Sequence, residues 1–132
     1  MSGDRLAPLI DIGINLGHDS YDADRDAVVA RAQAVGVEQF VITGASLAGS
    51  EKALALARAA SGIAFATAGC HPHHALDYAA EAARLAALAS DPLVVAVGEC
   101  GLDYHRNFSS PAEQRSAFAQ QLEVAIQLRK PL

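Results

Sequence analysis

The chain contains four short apolar runs, separated by longer segments in which apolar residues recur with helical spacing. The runs are partly β-branched and alternate only weakly between apolar and polar positions. This pattern is typical of strands that are covered on both faces, as in a parallel sheet. We therefore predict four buried parallel strands, at residues 9–16, 39–43, 63–68 and 93–97.

The segments between and after these runs predict four helices with recognisable ends. Gly36 and Gly62 follow the first two helices, where glycine adopts the left-handed conformation at little cost. Ser110, Pro111 and Glu113 form the N-cap, first position and capping box of the last helix. The predicted helices cover residues 23–35, 49–60, 76–89 and 110–129.

The spacing of these elements predicts the fold class. One strand plus one helix recurs about every 30 residues, the unit size of a (β/α)8 barrel of about 250 residues. We expect an α/β chain that supplies roughly the first four βα units of a TIM-type barrel. It would be a single domain of residues 1–132, truncated at the start of strand 5. Periodicity alone leaves an open doubly wound sheet as an alternative.

Composition and charge restrict the class of protein further. The 132 residues suffice for one globular domain. The N-terminal residues do not form a secretory signal, and we find no apolar stretch of about 18 residues for a membrane span. A cytoplasmic protein without a membrane partner is therefore predicted. The formal net charge of -5 disfavours a broad basic surface for nucleic acid, so a polyphosphate substrate would need a bound cation.

Residue spacing disfavours two other kinds of site. Cys70 and Cys100 do not form a Cys-x-x-Cys pair, which favours structural thiols over metal ligands. The segment from Gly44 to Glu51 has the glycines of a phosphate-binding loop, but Ser50 stands where its lysine would be. Nucleotide-cofactor binding is therefore disfavoured.

A carboxylate at the end of the fourth predicted strand is the first candidate for chemistry. Glu99 follows a continuous apolar run, and a carboxylate in such a position requires a cation, a basic side chain or several donors. Hard oxygen ligands suit divalent ions, so we predict Glu99 as a ligand of Mg²⁺, with Mn²⁺ or Zn²⁺ as alternatives. The competing interpretation is a buried carboxylate capped by backbone amides.

Further polar residues follow the predicted strands, at the edge where reactive groups of parallel α/β folds lie. His71 and His73 flank Pro72, and neutral or charged imidazole can contact a metal or a phosphate. Asp103 follows in a loop between glycine-assisted turns, where it is either an orienting residue or an ordinary turn aspartate. We predict Asp103 and His71 as catalytic residues. The predicted substrate contacts are His73, Asn15 and His105.

Four segments resemble one family across nearly the whole chain: DIGINL, VITGAS, TAGCHPHHA and VVAVGECGLDYHRNFS. The chain resembles the N-terminal half of the TatD family of metal-dependent deoxyribonucleases. The resemblance implies a (β/α)8 barrel that hydrolyses phosphodiester bonds with the help of a divalent metal, as a 3′-5′ exonuclease on DNA, or alternatively on RNA.

The resemblance also assigns roles to individual residues. Glu99 matches the family's metal-binding glutamate, His71 and His73 match its histidine-rich turn, and Asp103 matches the aspartate of its GLD triplet. Many relatives carry a His-x-His pair where this chain has Gly13 and Asn15. The branch to which TatD belongs also lacks that pair, and the chain resembles this branch. Other family ligands, two histidines and an aspartate, come from strands 5, 6 and 8. We therefore expect the 132 residues alone to be inactive.

The sequence thus supports three functional hypotheses. The leading one is a metal-assisted phosphodiesterase with DNA, or RNA, as its substrate. The others are a non-catalytic phosphate-binding α/β module and a barrel metallohydrolase that acts on another ester or amide. A half barrel would expose strand edges and one apolar face, so we expect the isolated chain to aggregate, dimerise or fold only marginally.

Overall fold

The computed structural model describes residues 7–132, in which four parallel strands alternate with four α-helices. No helix in this range is both long enough and apolar enough to cross a lipid bilayer. The elements in chain order are β1 (Leu9–Ile14), α1 (Arg25–Ala34), β2 (Val37–Ile42), α2 (Leu47–Ala59), β3 (Ala64–Ala68), α3 (Tyr78–Ala89), β4 (Val94–Val97) and α4 (Pro111–Leu128).

The strand order separates the two predicted architectures. The sheet has the order β1-β2-β3-β4, with every neighbouring pair parallel. A doubly wound sheet reverses its order at a switch point, whereas a barrel adds each strand next to the previous one. Right-handed crossovers in a sequential order place all helices on one face of the sheet. The architecture is therefore that of successive βα units of a barrel, and the predicted fold class is confirmed.

The two faces of the sheet differ in their side chains and in their burial. Ala64, Ala66 and Ala68 of β3 are buried against the helices, and Phe40 and Ile42 of β2 are buried on the same face. The small alanines let the helices pack close to the sheet, and each buried large side chain stabilises the fold by about 2–3 kcal/mol. The opposite face carries a cavity of about 580 Å³ that is lined by residues of all four strand regions and by Pro131 and Leu132.

Most predicted element ends lie within about two residues of the observed ones. The capping box is confirmed: the Glu113 N–H donates to Ser110 Oγ at 3.3 Å, and the Ser110 N–H donates to Glu113 Oε2 at 2.8 Å. Gly36 and Gly62 have positive φ values of 101° and 89°. The predicted start of α2 at residue 49 is two residues late, because Ser46 accepts from the Gly49 N–H and caps the helix earlier.

The first strand is not buried in residues 7–132: the prediction from its apolar run is wrong, whereas the exposed edge and apolar face expected of a half barrel are present. Every residue of β1 is exposed or half-buried, and Ile12 is 77% exposed. The strand pairs only with β2 among the described residues, and its side chains on the open face are uncovered there. The apolar pattern therefore predicts correctly that this segment is a strand. It does not predict the burial of the strand in residues 7–132.

The segment after α4 returns to the sheet beside β4. Arg129 ends the helix in the left-handed conformation, and Lys130 Nζ donates to the carbonyls of Asp91 at 2.9 Å and Val94 at 2.6 Å. The Val97 N–H donates to the Pro131 carbonyl at 2.9 Å. Residues 130–131 thus occupy the side of β4 on which a further parallel strand would run.

Candidate active site

The loops after β3 and β4 bring four predicted site residues together in two pairs. His71 Nε2 lies 3.7 Å from Glu99 Oε1, and His73 Nε2 lies 2.7 Å from Asp103 Oδ2. The carboxyl ends of parallel strands share one edge of the sheet, which explains why residues about 30 positions apart meet here. The predicted grouping of these four side chains at one rim is what the structure shows.

A close approach of two glycines allows the two loops to meet. A Cβ atom on Gly69 would lie 2.5 Å from the Cα and carbonyl carbon of Gly98, well inside any tolerated contact. Gly98 donates its N–H to the Ala68 carbonyl at 3.0 Å, and the following N–H of Glu99 donates to the Gly44 carbonyl. The backbone of Glu99 is therefore held against the ends of both β2 and β3.

The Glu99 carboxylate is available to a ligand. Its side chain is 53% exposed, and the residue lines the 580 Å³ cavity together with Thr43 and Thr67. Within residues 7–132 no lysine or arginine pairs with it, and only His71 lies within ion-pairing distance. A hard carboxylate oxygen of this kind fits a divalent cation. The same range contains no group of three His, Cys, Asp or Glu side chains that could enclose one.

His71 presents a hydrogen-bond donor to Glu99. Its Nδ1 atom accepts from the backbone N–H of His73 at 3.1 Å, so the neutral ring must carry its hydrogen on Nε2. Burial lowers the pKa of His71 below its usual value, which favours this neutral form. The nitrogen that faces Glu99 is therefore an N–H group and not a lone pair that could bind a metal.

Asp103 is an anchor for the β4–α4 loop and for His73. Its Oδ1 accepts from the N–H groups of His105 at 3.1 Å and Arg106 at 3.0 Å. Its Oδ2 accepts from His73 Nε2 at 2.7 Å and from Arg106 Nη1 at 3.1 Å. The Arg106 N–H and the His73 ring hold the pKa of the Asp103 carboxyl far below its ordinary range. With these four donors on a charged carboxylate, the arrangement suits the predicted orienting role.

Three buried polar side chains fix the loops, and none of them was predicted from the sequence. Gln121 accepts from the Cys70 N–H at 2.7 Å and donates to the Cys70 carbonyl at 3.1 Å. Gln114 makes the same pair of bonds to Asp103, at 2.7 Å and 3.1 Å. Ser50 Oγ bonds both backbone groups of Gly69. Each side chain thus satisfies the N–H and the carbonyl of one residue in the loop that follows β3 or β4. These are the loops that carry the site residues.

The sequence does carry a signal for the two glutamines. They lie seven positions apart on α4, on the same face as Ala117 and Ala125, and all four residues are buried. Glutamine on a face that otherwise carries buried alanine has to find hydrogen-bond partners inside the protein. In a parallel α/β fold, the available partners are the loops at the strand ends.

The remaining predicted residues lie apart from these pairs. Asn15 is exposed in a separate depression of about 300 Å³, which shares Thr43 with the larger cavity. His105 is exposed and contributes its backbone N–H to Asp103. Cys70 is buried, and burial raises the pKa of its thiol to about 12, as expected for a structural thiol.

Comparison with known proteins gives a consistent result. The family model for TatD related DNase matches residues 10–132. The 3′-5′ ssDNA/RNA exonuclease TatD of Cronobacter turicensis is 52% identical over 125 residues, which cover 94% of this chain and 47% of that protein. The enzyme of the same name from Erwinia amylovora is 49% identical, with coverage of 94% and 48%. The chain spans about half the length of the curated relatives it matches.

Solved structures show the same relationship. The crystal structure of a hydrolase of the TatD family from Entamoeba histolytica superposes with a TM-score of 0.80 at 29% identity, covering 91% of this chain and 46% of that one. The TatD homologue YJJV of Escherichia coli superposes with a TM-score of 0.82 at 25% identity, covering 93% and 48%. Sequence and structure agree along almost the whole described chain, and it belongs to the family of TatD related DNases.

Proposed function

We propose that the whole protein is a metal-dependent phosphodiesterase that shortens single-stranded nucleic acid, and that this chain supplies one part of its active site. The observation that carries the proposal is the placement of Glu99, a carboxylate without a lysine or arginine partner in residues 7–132, opposite the N–H donor of His71. The names of the relatives, 3′-5′ ssDNA/RNA exonuclease, support a nucleic-acid substrate.

Each site residue has a distinct proposed role. Glu99 would hold a divalent cation, for which we propose Mg²⁺. When bound, the cation would polarise the phosphodiester as a Lewis acid. His71 donates a hydrogen bond from Nε2 to a phosphoryl oxygen. His73 contacts and orients the same phosphate. Asp103 fixes the His73 ring, because the ring cannot rotate without breaking the 2.7 Å bond. Asn15 and His105 are proposed as outer contacts to the substrate.

The chain on its own is proposed to be inactive. Residues 7–132 contain no group of three potential ligand side chains that could enclose a cation, and a divalent cation needs several ligands. We propose that residues 1–132 form the first part of a single barrel domain, whose other strands close the cavity beside β1 and residues 130–131 and complete the site. A cytoplasmic location remains part of the same proposal.

The decisive experiment is hydrolysis of a single-stranded oligonucleotide by the whole protein, with and without Mg²⁺. We expect release of mononucleotides that stops when the metal is chelated. Glu99→Gln should reduce the rate by about 100-fold or more, since loss of the cation removes several kcal/mol of transition-state stabilisation.

Glu38→Gln is the matched control, because Glu38 is an exposed glutamate on β2 and undergoes the same change of charge. It should hydrolyse the oligonucleotide at the wild-type rate. Full activity of Glu99→Gln would refute the assignment of Glu99. Turnover of a carboxylic ester or amide without any diester hydrolysis would favour the alternative metallohydrolase.

A further inference from the structure

The loop between β4 and α4 exposes two aromatic rings beside the candidate active site. Tyr104 is 48% exposed and Phe108 is 68% exposed. A single exposed apolar residue is ordinary, but these two lie within five positions of each other, immediately after Asp103. Neither ring contributes to the buried core. Their position next to the site calls for an explanation that packing within the described residues does not give.

The loop presents these rings from a rigid frame. The Asp103 carboxylate accepts the N–H groups of the two residues that follow Tyr104. Asn107 Nδ2 donates to the Tyr104 carbonyl at 2.8 Å, and the buried Ser109 hydroxyl donates to the His73 carbonyl at 3.3 Å. The rings therefore stand on a backbone that is already ordered, which lowers the entropic cost of binding a flat ligand.

Phe108 is in contact with the site itself. Its ring centroid lies 4.6 Å from that of His73, with an angle of 81° between the two planes. An edge-to-face contact of this kind leaves most of the phenyl ring open to solvent. A planar group stacked on Phe108 would lie beside the His73–Asp103 pair, and a phosphate attached to it would be close to His73.

The charge around the rings suits an anionic chain. Arg106 lies two positions after Tyr104 and its side chain is 59% exposed, and Arg115 Nη1 lies 3.4 Å from the Tyr104 hydroxyl. The two guanidinium groups, one in the loop and one on α4, place positive charge beside the rings in a chain whose formal net charge is -5. Arg106 is shared with Asp103, to whose Oδ2 its Nη1 donates at 3.1 Å. Exposed aromatic rings next to arginines are the combination that binds single-stranded nucleic acid, because each base offers a flat face and each phosphate a charge.

We infer that Tyr104 and Phe108 form a base-stacking platform for single-stranded nucleic acid, with Arg106 and Arg115 attracting its backbone. This inference rests on the proposed function and specifies how the substrate is held. Stacking requires unpaired bases, and it tolerates any base since all of them have a π face. The platform therefore selects single strands without selecting a sequence.

The experiment compares two substrates of the whole protein: a single-stranded oligonucleotide and an abasic oligonucleotide of the same length, a base-free phosphodiester that contains no aromatic ring. Phe108→Ala should raise the KM for the oligonucleotide. This fold-increase should be roughly ten times the fold-increase in KM for the base-free diester, in line with the loss of one stacked base. Tyr104→Ala should act in the same direction. Phe108→Tyr retains a ring and should restore oligonucleotide binding.

Leu76→Ala is the matched control, since Leu76 is 65% exposed but has no ring. It should leave both substrates unaffected. Equal effects of Phe108→Ala on both substrates, or none on either, would overturn the platform.

A binding measurement separates this failure from failure of the proposed function. An oligonucleotide that contains 2-aminopurine, titrated in chelator, should lose fluorescence on wild-type protein and less on Phe108→Ala. Quenching without hydrolysis of either substrate would retain the platform and refute the nuclease. Equal quenching by both proteins would refute the platform whatever the activity.

Discussion

Gln114 and Asp103 are joined by two hydrogen bonds that pair one side-chain amide with both backbone groups of one residue. The Asp103 N–H donates to Gln114 Oε1 at 2.7 Å, and Gln114 Nε2 donates to the Asp103 carbonyl at 3.1 Å. The same Nε2 donates to the Ser109 carbonyl at 2.9 Å, and the glutamine is buried. The amide thus donates two hydrogen bonds and accepts one. Gln114 therefore connects α4 to the loop that contains Asp103.

Gln114→Glu should destabilise the protein strongly. The carboxylate retains an acceptor for the Asp103 N–H but loses both donors, which leaves the Asp103 and Ser109 carbonyls without a partner at about 1–3 kcal/mol each. Urea unfolding would measure the loss. Gln120→Glu is the matched control, because Gln120 is exposed on the same helix, and it should change the free energy of unfolding by less than about 0.5 kcal/mol. Equal shifts in the two variants would contradict this role of Gln114.

The sequence predicts what local patterns determine. The strands and the helix that begins at Ser110 follow from apolar runs and a capping box, since both are encoded within a few consecutive residues. The grouping of His71 and Glu99 follows from one topological rule about parallel strands. These features need no knowledge of the distances between side chains.

Most features that the sequence did not predict depend on tertiary contacts. The start of α2 is a local exception, because Ser46 accepts from the Gly49 N–H only three positions later. The hydrogen bonds of Gln114 and Gln121 to the loops could be predicted only from knowledge of which face of α4 meets the strand ends. The partners of these two glutamines, Asp103 and Cys70, are distant in the chain.

Gly69→Ala should separate the ends of β3 and β4. The added methyl group would meet Gly98 backbone atoms at 2.5 Å, and backbone cannot yield as a flexible side chain would. We expect a loss of about 1–3 kcal/mol in stability and a longer distance between His71 and Glu99, with a corresponding loss of hydrolysis. Thermal unfolding and a crystal structure of the variant would measure these effects.

Gly13→Ala provides the comparison for Gly69→Ala. Gly13 also lies near a strand end, but a Cβ atom there would meet nothing within 4 Å. The variant should unfold at the wild-type temperature. If Gly69→Ala is tolerated equally well, the close approach of the two loops is not what positions Glu99.

Asp103 should contribute stability that disappears in acid. Hydrogen bonds from the Arg106 N–H and the His73 ring depress the pKa of the folded carboxyl below that of the unfolded chain, which is about 3.9. The contribution is therefore complete above this unfolded value and is lost as the pH falls through it towards the folded pKa. Asp103→Asn should flatten the fall in unfolding free energy between about pH 5 and pH 2. Asp26→Asn, at an exposed position on α1, should keep the wild-type profile.

His71 should carry its hydrogen on Nε2. The backbone N–H of His73 occupies Nδ1 at 3.1 Å, and the alternative tautomer would direct two hydrogens at each other. Long-range ¹H–¹⁵N correlation spectra of the ¹⁵N-labelled protein above neutral pH distinguish the two tautomers directly. His18 is an internal reference, because its Nδ1 accepts from the Ser20 N–H at 3.1 Å and predicts the same pattern. An Nδ1–H signal for His71 would contradict the assignment.

Two isosteric substitutions separate the two nitrogens of His71 by their function. Asparagine places an amide near the position of Nδ1 and retains an acceptor for the His73 N–H, whereas glutamine reaches the position of Nε2 and retains a donor towards Glu99. If the Nε2–H group contacts the phosphate, His71→Gln should keep more hydrolytic activity in the whole protein than His71→Asn, although His71→Asn should be the more stable of the two. If His71→Asn were both the more stable and the more active variant, the role of His71 would be limited to shaping the turn.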